Sequence, residues 1–205
     1  MLNDEGFDLW ADGYDKSVRL SYENGTYPFA GYQEVLGQIY DRVLSAQGKT
    51  VLDIGFGTGT LTTKLYEQGC TIYGQDLSKK MIQLAQAKMP GAKLYQGDIR
   101  AGLVDALKDV RYDAVIATYS LHHLSDAQKI VFLKSLLPLL NDGGAVYIGD
   151  VAFMTRAELE SCKEQTGDTW DEDEIYFVYE ELKAELPHLT FKQCSHCAGV
   201  LTLKK

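Results

Sequence analysis

From residue 50 onward, short apolar runs alternate with stretches in which apolar residues recur every three or four positions. The runs 50–54, 71–75, 93–95, 114–118 and 145–149 have strand length, and helical periods fill 61–68, 79–88 behind a Ser78 cap, 103–108, and 127–140 behind Ser125-Asp126. Strands of this length separated by helical crossovers predict a parallel sheet with helices on both faces. Before this region, Phe7, Trp10, Tyr14 and Val18 share one face of a short helix, and a second helix covers 33–45 with Val35, Leu36, Ile39, Tyr40 and Val43 inward. After Gly149 the alternation lapses. Helices are expected at 156–165 and 172–186, where Pro187 stops the second. The runs 190–194 and 200–204 then read as two strands whose short connection forces them antiparallel.

The predicted fold is therefore α/β: a Rossmann-like doubly wound sheet, mostly parallel, with a C-terminal antiparallel hairpin and helices on both faces. One domain over 1–205 accounts for the length, divided into an N-terminal helical cap (1–47), a cofactor-binding core (48–150), an acidic helical insertion (151–187) and a closing hairpin (188–205).

Composition narrows the function. A hydrophobic fraction of 45% is that of a globular protein, and no apolar run approaches the roughly 18 residues of a membrane span. The first residues carry no signal-peptide pattern, so a cytoplasmic location and no membrane partner are expected. The net charge of −9 is concentrated in one place: between Glu158 and Glu185 there are 11 acids and only two bases, Lys163 and Lys183, while the rest of the chain balances. Without a basic stripe, nucleic acid is disfavoured as a partner. Four cysteines are too few for a disulfide scaffold, and Cys194-Ser-His-Cys197 lacks the second pair of a structural zinc site, so no metal is expected.

The strongest local signal is Asp53-Ile-Gly55-Phe-Gly57-Thr-Gly59, a strand entering a glycine turn that opens a helix. A dinucleotide fingerprint wants glycine where Thr60 stands, and the Asp53 carboxylate at the strand end suits a cationic ammonium better than a pyrophosphate. On these residues the chain resembles the class I S-adenosylmethionine-dependent methyltransferases, small bacterial members of unassigned substrate in particular. The resemblance extends through Gln75-Asp76-Leu77-Ser78, Gln96-Gly-Asp98-Ile99, the segment Tyr112 to Leu124 and the Leu140–Ile148 turn into strand five.

It implies S-adenosylmethionine as cofactor and S-adenosylhomocysteine as product. Asp53, Gly55, Gly57 and Gly59 would lie against the amino-acid end, Asp76 and Leu77 at the ribose, and Asp98 and Ile99 at the adenine. Thr118 would end the fourth strand beside the cofactor, and Tyr14 would touch the cofactor carboxylate. His122 and His123, following strand four where the acceptor would sit, are the catalytic candidates, since an imidazole titrates near neutrality. The acceptor is expected to be a small molecule. The alternatives are a non-catalytic cofactor-binding protein and an NAD(P)-dependent oxidoreductase, the latter opposed by the glycine spacing. The sequence does not specify an oligomeric state.

Overall fold

The computed structural model describes residues 25–205; the predicted Phe7–Val18 helical face and Tyr14 lie outside them. Eight strands form one sheet in the order β3-β2-β1-β4-β5-β8-β7, with β6 paired to the end of β5. The strands are β1 (Thr50–Ile54), β2 (Thr71–Asp76), β3 (Lys93–Gln96), β4 (Tyr112–Thr118), β5 (Leu140–Phe153), β6 (Phe177–Val178), β7 (Leu189–Gln193) and β8 (Ala198–Lys204). The first five pair in parallel, and β8 runs antiparallel to both β5 and β7. Strand order reverses between β1 and β4, the switch point where sheets of this kind receive ligands.

Alternation along the central strands divides the core in two. Val51, Ala114 and Ile116 face one side with Val35, Ile39 and Val43 of α1 (Tyr32–Ser45) and Leu61 and Leu65 of α2 (Thr60–Glu67). Leu52, Ile54, Val115 and Ala117 face the other, against Leu107 of α4 (Asp105–Lys108) and Leu133 and Leu136 of α5 (Asp126–Leu136). Helix α3 (Lys79–Lys88) joins the first face through Ala85, with Ser78 capping its Met81 N–H at 3.1 Å. Each fully buried aliphatic side chain contributes about 1.5–3 kcal/mol over its exposed state. This two-sided core holds the carboxyl ends of β1, β4 and β5 side by side.

The predicted elements hold with three differences. The helix expected over 127–140 is α up to Leu136 and then a 3₁₀ turn at Leu137–Leu139, because Pro138 has no N–H to continue the ladder. Strand β5 runs far beyond 145–149, to Phe153, where β6 pairs with Ala152 and Phe153. The helix expected over 172–186 is reduced to α7 (Tyr179–Lys183). Four successive acids from Asp171 to Glu174 repel one another in a helix, and the β-branched and aromatic run Ile175–Val178 pairs with the sheet instead. Of the acidic insertion, only α6 (Arg156–Thr166) and α7 are α-helical. Among the described residues, no helix is long and apolar enough to cross a membrane.

Candidate active site

The glycine turn after β1 forms one wall of a cleft that Asp53, Gly55, Gly57, Thr118, Tyr32 and Tyr119 line together. Gly55 has φ +69°, and a β-carbon there would stand 2.4 Å from Cβ of Ser120. Ser120 in turn donates its hydroxyl to the Ile54 carbonyl at 2.8 Å, so the turns after β1 and β4 are clamped to each other. Gly57, at φ +55°, has nothing within 4 Å of where its β-carbon would be, leaving that face of the turn sterically open. We predict that Gly55→Ala costs about 1–2 kcal/mol for the left-handed backbone alone, before the steric conflict with Ser120; an unchanged unfolding midpoint would refute it.

Asp53 is buried, and its Oδ2 accepts a short hydrogen bond from the Thr62 hydroxyl of α2. Its Oδ1 has no hydrogen-bond partner among the described residues. Burial, reinforced by the nearby Asp76 charge, pushes the Asp53 carboxyl up to about 7 against the opposing Thr62 bond. An orphaned buried oxygen on an acid that resists ionisation is the counterpart a cationic ligand needs.

The other predicted cofactor residues stand on neighbouring strand ends outside this cleft. Gly59 caps α2 at φ +78° and packs near Met89 of the α3 end. Asp76 is buried and shapes the glycine turn, accepting from the Gly57 N–H at 2.8 Å and the Ser78 N–H at 2.9 Å. Its removal would therefore loosen the turn as well as any ligand contact. Leu77 is half-buried, and its carbonyl accepts from Gln96 at 3.0 Å. Asp98 caps a 3₁₀ turn through the Arg100 N–H, and the Arg100 side chain binds both of its oxygens, with the closest approach 2.7 Å. That guanidinium holds the Asp98 carboxyl below its ordinary range. Ile99 packs against the α4–α5 side of the core.

Beyond Ser120, His122 and His123 lie in a 3₁₀ turn, their rings 4.3 Å apart at 73°. His122 is buried, with Nδ1 2.7 Å from Oδ1 of Asp150 on β5, and Nε2 3.3 Å from Oε1 of Glu174. Burial pushes the His122 imidazolium down, but Asp150, by charge and hydrogen bond, and Glu174 outweigh it and raise its pKa. His123 is driven the other way, to about 4, by burial and by the His122 charge, so it is a neutral imidazole at physiological pH. Glu174 is raised by burial. Its Oε2 accepts from the Tyr176 hydroxyl at 2.7 Å, and that hydroxyl makes a short hydrogen bond with Tyr27, whose ring stacks 5.0 Å from Trp170. The Ile175 N–H also bonds the His122 carbonyl at 2.8 Å, fixing the acidic segment across the histidines.

Sequence reasoning thus found the two histidines but not the carboxylates on either side of them. Asp150 could have been read from its place at the end of strand five, as Asp76 was at the end of strand two. Glu174 is one acid in a run of four and carries no local signal.

Residues 51–144 match the family model described as a methyltransferase domain. An uncharacterized methyltransferase of Anoxybacillus flavithermus is 34% identical over 155 residues, covering 76% of this chain and 70% of that protein. Another, from Alkaliphilus oremlandii, is 32% identical over 179 residues, covering 87% and 79%. Among solved structures, magnesium protoporphyrin IX methyltransferase from Synechocystis PCC 6803 with bound SAH aligns at TM-score 0.68 and 20% identity, covering 97% of each chain. The DhpI-SAM-HEP complex aligns at 0.66 and 19%, covering 97% of this chain and 94% of that one. The chain belongs to the methyltransferase family, whose class I members take S-adenosylmethionine as methyl donor.

Proposed function

We propose that this methyltransferase transfers the methyl group of S-adenosylmethionine to a small-molecule acceptor held beyond Tyr119, on the side of the turn that carries His122 and His123. The supporting observation is that the Ser120–Ile54 hydrogen bond ties the turn after β1, where Asp53 keeps one buried oxygen without a partner, to the turn after β4, which leads into the histidines. Asp53 fits the cofactor's ammonium, and the open face of the turn at Gly57 fits its amino-acid end. When bound, the cofactor supplies an electrophilic methyl group on a sulfonium, whose displacement leaves a neutral thioether. The protein's part is to hold the acceptor in line and keep water out, a positioning effect that supplies most of such an acceleration. Tyr32 and Tyr119, with ring centroids 5.2 Å apart, give the cleft an aromatic face suited to a cationic sulfonium.

The segment from Trp170 to Tyr176 is tied to the His122 carbonyl through the Ile175 N–H, which supports a bounded acceptor side and a compact substrate. One chain of this fold forms a complex with SAM and HEP and another is a magnesium protoporphyrin IX methyltransferase, which supports the reading of a small-molecule acceptor.

Calorimetric titration with S-adenosylhomocysteine should show binding at one site, and NAD should give no heat. Heat from NAD alone would overturn the reading. Methyl transfer from labelled cofactor across a metabolite panel then separates an enzyme from a non-catalytic binding protein, which would bind the product yet turn nothing over.

A further inference from the structure

His122, His123 and Glu174 offer two imidazole nitrogens and a carboxylate oxygen, all within 4.8 Å of one another. Holding an acceptor for methyl transfer does not by itself call for two histidines facing a carboxylate from a segment fifty residues away. The 3.3 Å between His122 Nε2 and Glu174 Oε1 is the separation of two ligands that each lie about 2.0–2.1 Å from a tetrahedral ion. Behind them stand outer partners: the Asp150 carboxylate at His122 Nδ1, 2.7 Å away, and the Tyr176 hydroxyl on Glu174 Oε2, also at 2.7 Å. A carboxylate at the far ring nitrogen is the outer partner that commonly backs a metal-binding imidazole, and it leaves Nε2 to face Glu174.

We propose that His122, His123 and Glu174 bind one divalent transition ion, with Zn²⁺ the type that this donor set of two imidazoles and a carboxylate accommodates. Three protein ligands leave a fourth position open. On the methyltransferase reading, a hydroxyl oxygen of the acceptor would occupy it; the ion would lower its pKa so that its proton leaves to solvent, and the oxygen would take the methyl group as the S–CH3 bond of the sulfonium breaks to the neutral thioether. Ion binding itself does not depend on that reading. The site runs against the expectation of no metal, which weighed only the Cys194–Cys197 pair because Glu174 is brought to the histidines by the pairing of β6 with β5.

The test uses the full chain stripped by a chelator and titrated with Zn²⁺ by calorimetry, with the visible absorption of Co²⁺ reporting coordination geometry. Wild type should take up one ion per chain. Glu174→Gln and His123→Gln, which alter separate elements, should each weaken binding at least about tenfold, more than the exposed Glu172→Gln control. Thermal unfolding checks that each variant is folded, and either ligand variant suffices if the other is not. Absence of stoichiometric binding would overturn the proposal, as would binding that both ligand variants leave unchanged. S-adenosylhomocysteine affinity, measured on the same samples, separates this failure from failure of the methyltransferase reading.

Discussion

Replacing Asp150 with alanine is expected to lower the stability of the protein by about 3–5 kcal/mol, the cost of removing one member of a buried charged pair. Asp150 is fully buried on β5, where its Oδ1 accepts both the His122 Nδ1 contact at 2.7 Å and its neighbour Val151 N–H at 2.8 Å. Removal leaves the buried His122 Nδ1 without its partner, with Glu174 remaining only at Nε2, and leaves a backbone donor unsatisfied. Because burial already pushes His122 toward the neutral form, the ring can shed its proton when Asp150 is gone, which moves the loss toward the lower end of that range. Denaturant unfolding measures it directly. Asp150→Asn retains an acceptor for Val151 and should recover part of the loss. If the alanine variant unfolds at the wild-type midpoint, the pair contributes nothing to the fold, and the cluster is held from the Glu174 side instead.

The parts of this site that could be read from the sequence are those in which one residue's role is fixed by its neighbours in the chain. The turn Gly55-Phe-Gly57-Thr-Gly59 requires left-handed backbone at alternate positions, and all three glycines have positive φ. Ser78 and Ser125 announce helix starts because an N-cap needs only the next three residues, and both side chains accept from the backbone as expected. The alternation of short apolar runs with helical periods likewise specified the parallel core.

What could not be read depends on tertiary pairing. Phe177 and Val178 leave the helical pattern because Ala152 and Phe153 offer a strand end beyond the predicted limit of β5. That pairing carries Glu174 to His122 and turns one acid of a charged run into a half-buried partner of the imidazole, while Glu172, two residues earlier, stays on the surface with Lys163 at 2.7 Å. A uniform solvated face would have treated the two alike. Lys129 shows the same principle: it is completely buried, sits over the Phe177 ring at 4.5 Å, and bonds Asp126 and the Ile175 carbonyl. A lysine in the middle of a helix gives no warning that it will anchor a loop 46 residues away.

Affinity for S-adenosylhomocysteine is expected to rise about tenfold per pH unit on the acid side of neutrality and to level off once Asp53 is ionised, above about 7. The sign follows from burial, which disfavours the carboxylate in the free protein, whereas a bound ammonium favours it; binding must expel the Asp53 proton below its pKa and need not do so above it. Folding stability runs the opposite way. An acid whose folded pKa is raised contributes stability that is fully present below its unfolded value and is lost as pH rises through about 7. Asp53→Asn should therefore make the ligand-free protein more stable than wild type at pH 8, with the difference shrinking on acidification, while binding the product more weakly and without the steep pH dependence. The Thr62 hydroxyl can still donate to the asparagine oxygen, so the substitution preserves local packing. Calorimetry at several pH values, with unfolding measured on the same samples, checks both signs at once. If wild type and Asp53→Asn show parallel affinity curves, the buried carboxylate is not the cofactor's counterion, and its burial reflects packing of α2 on β1 alone.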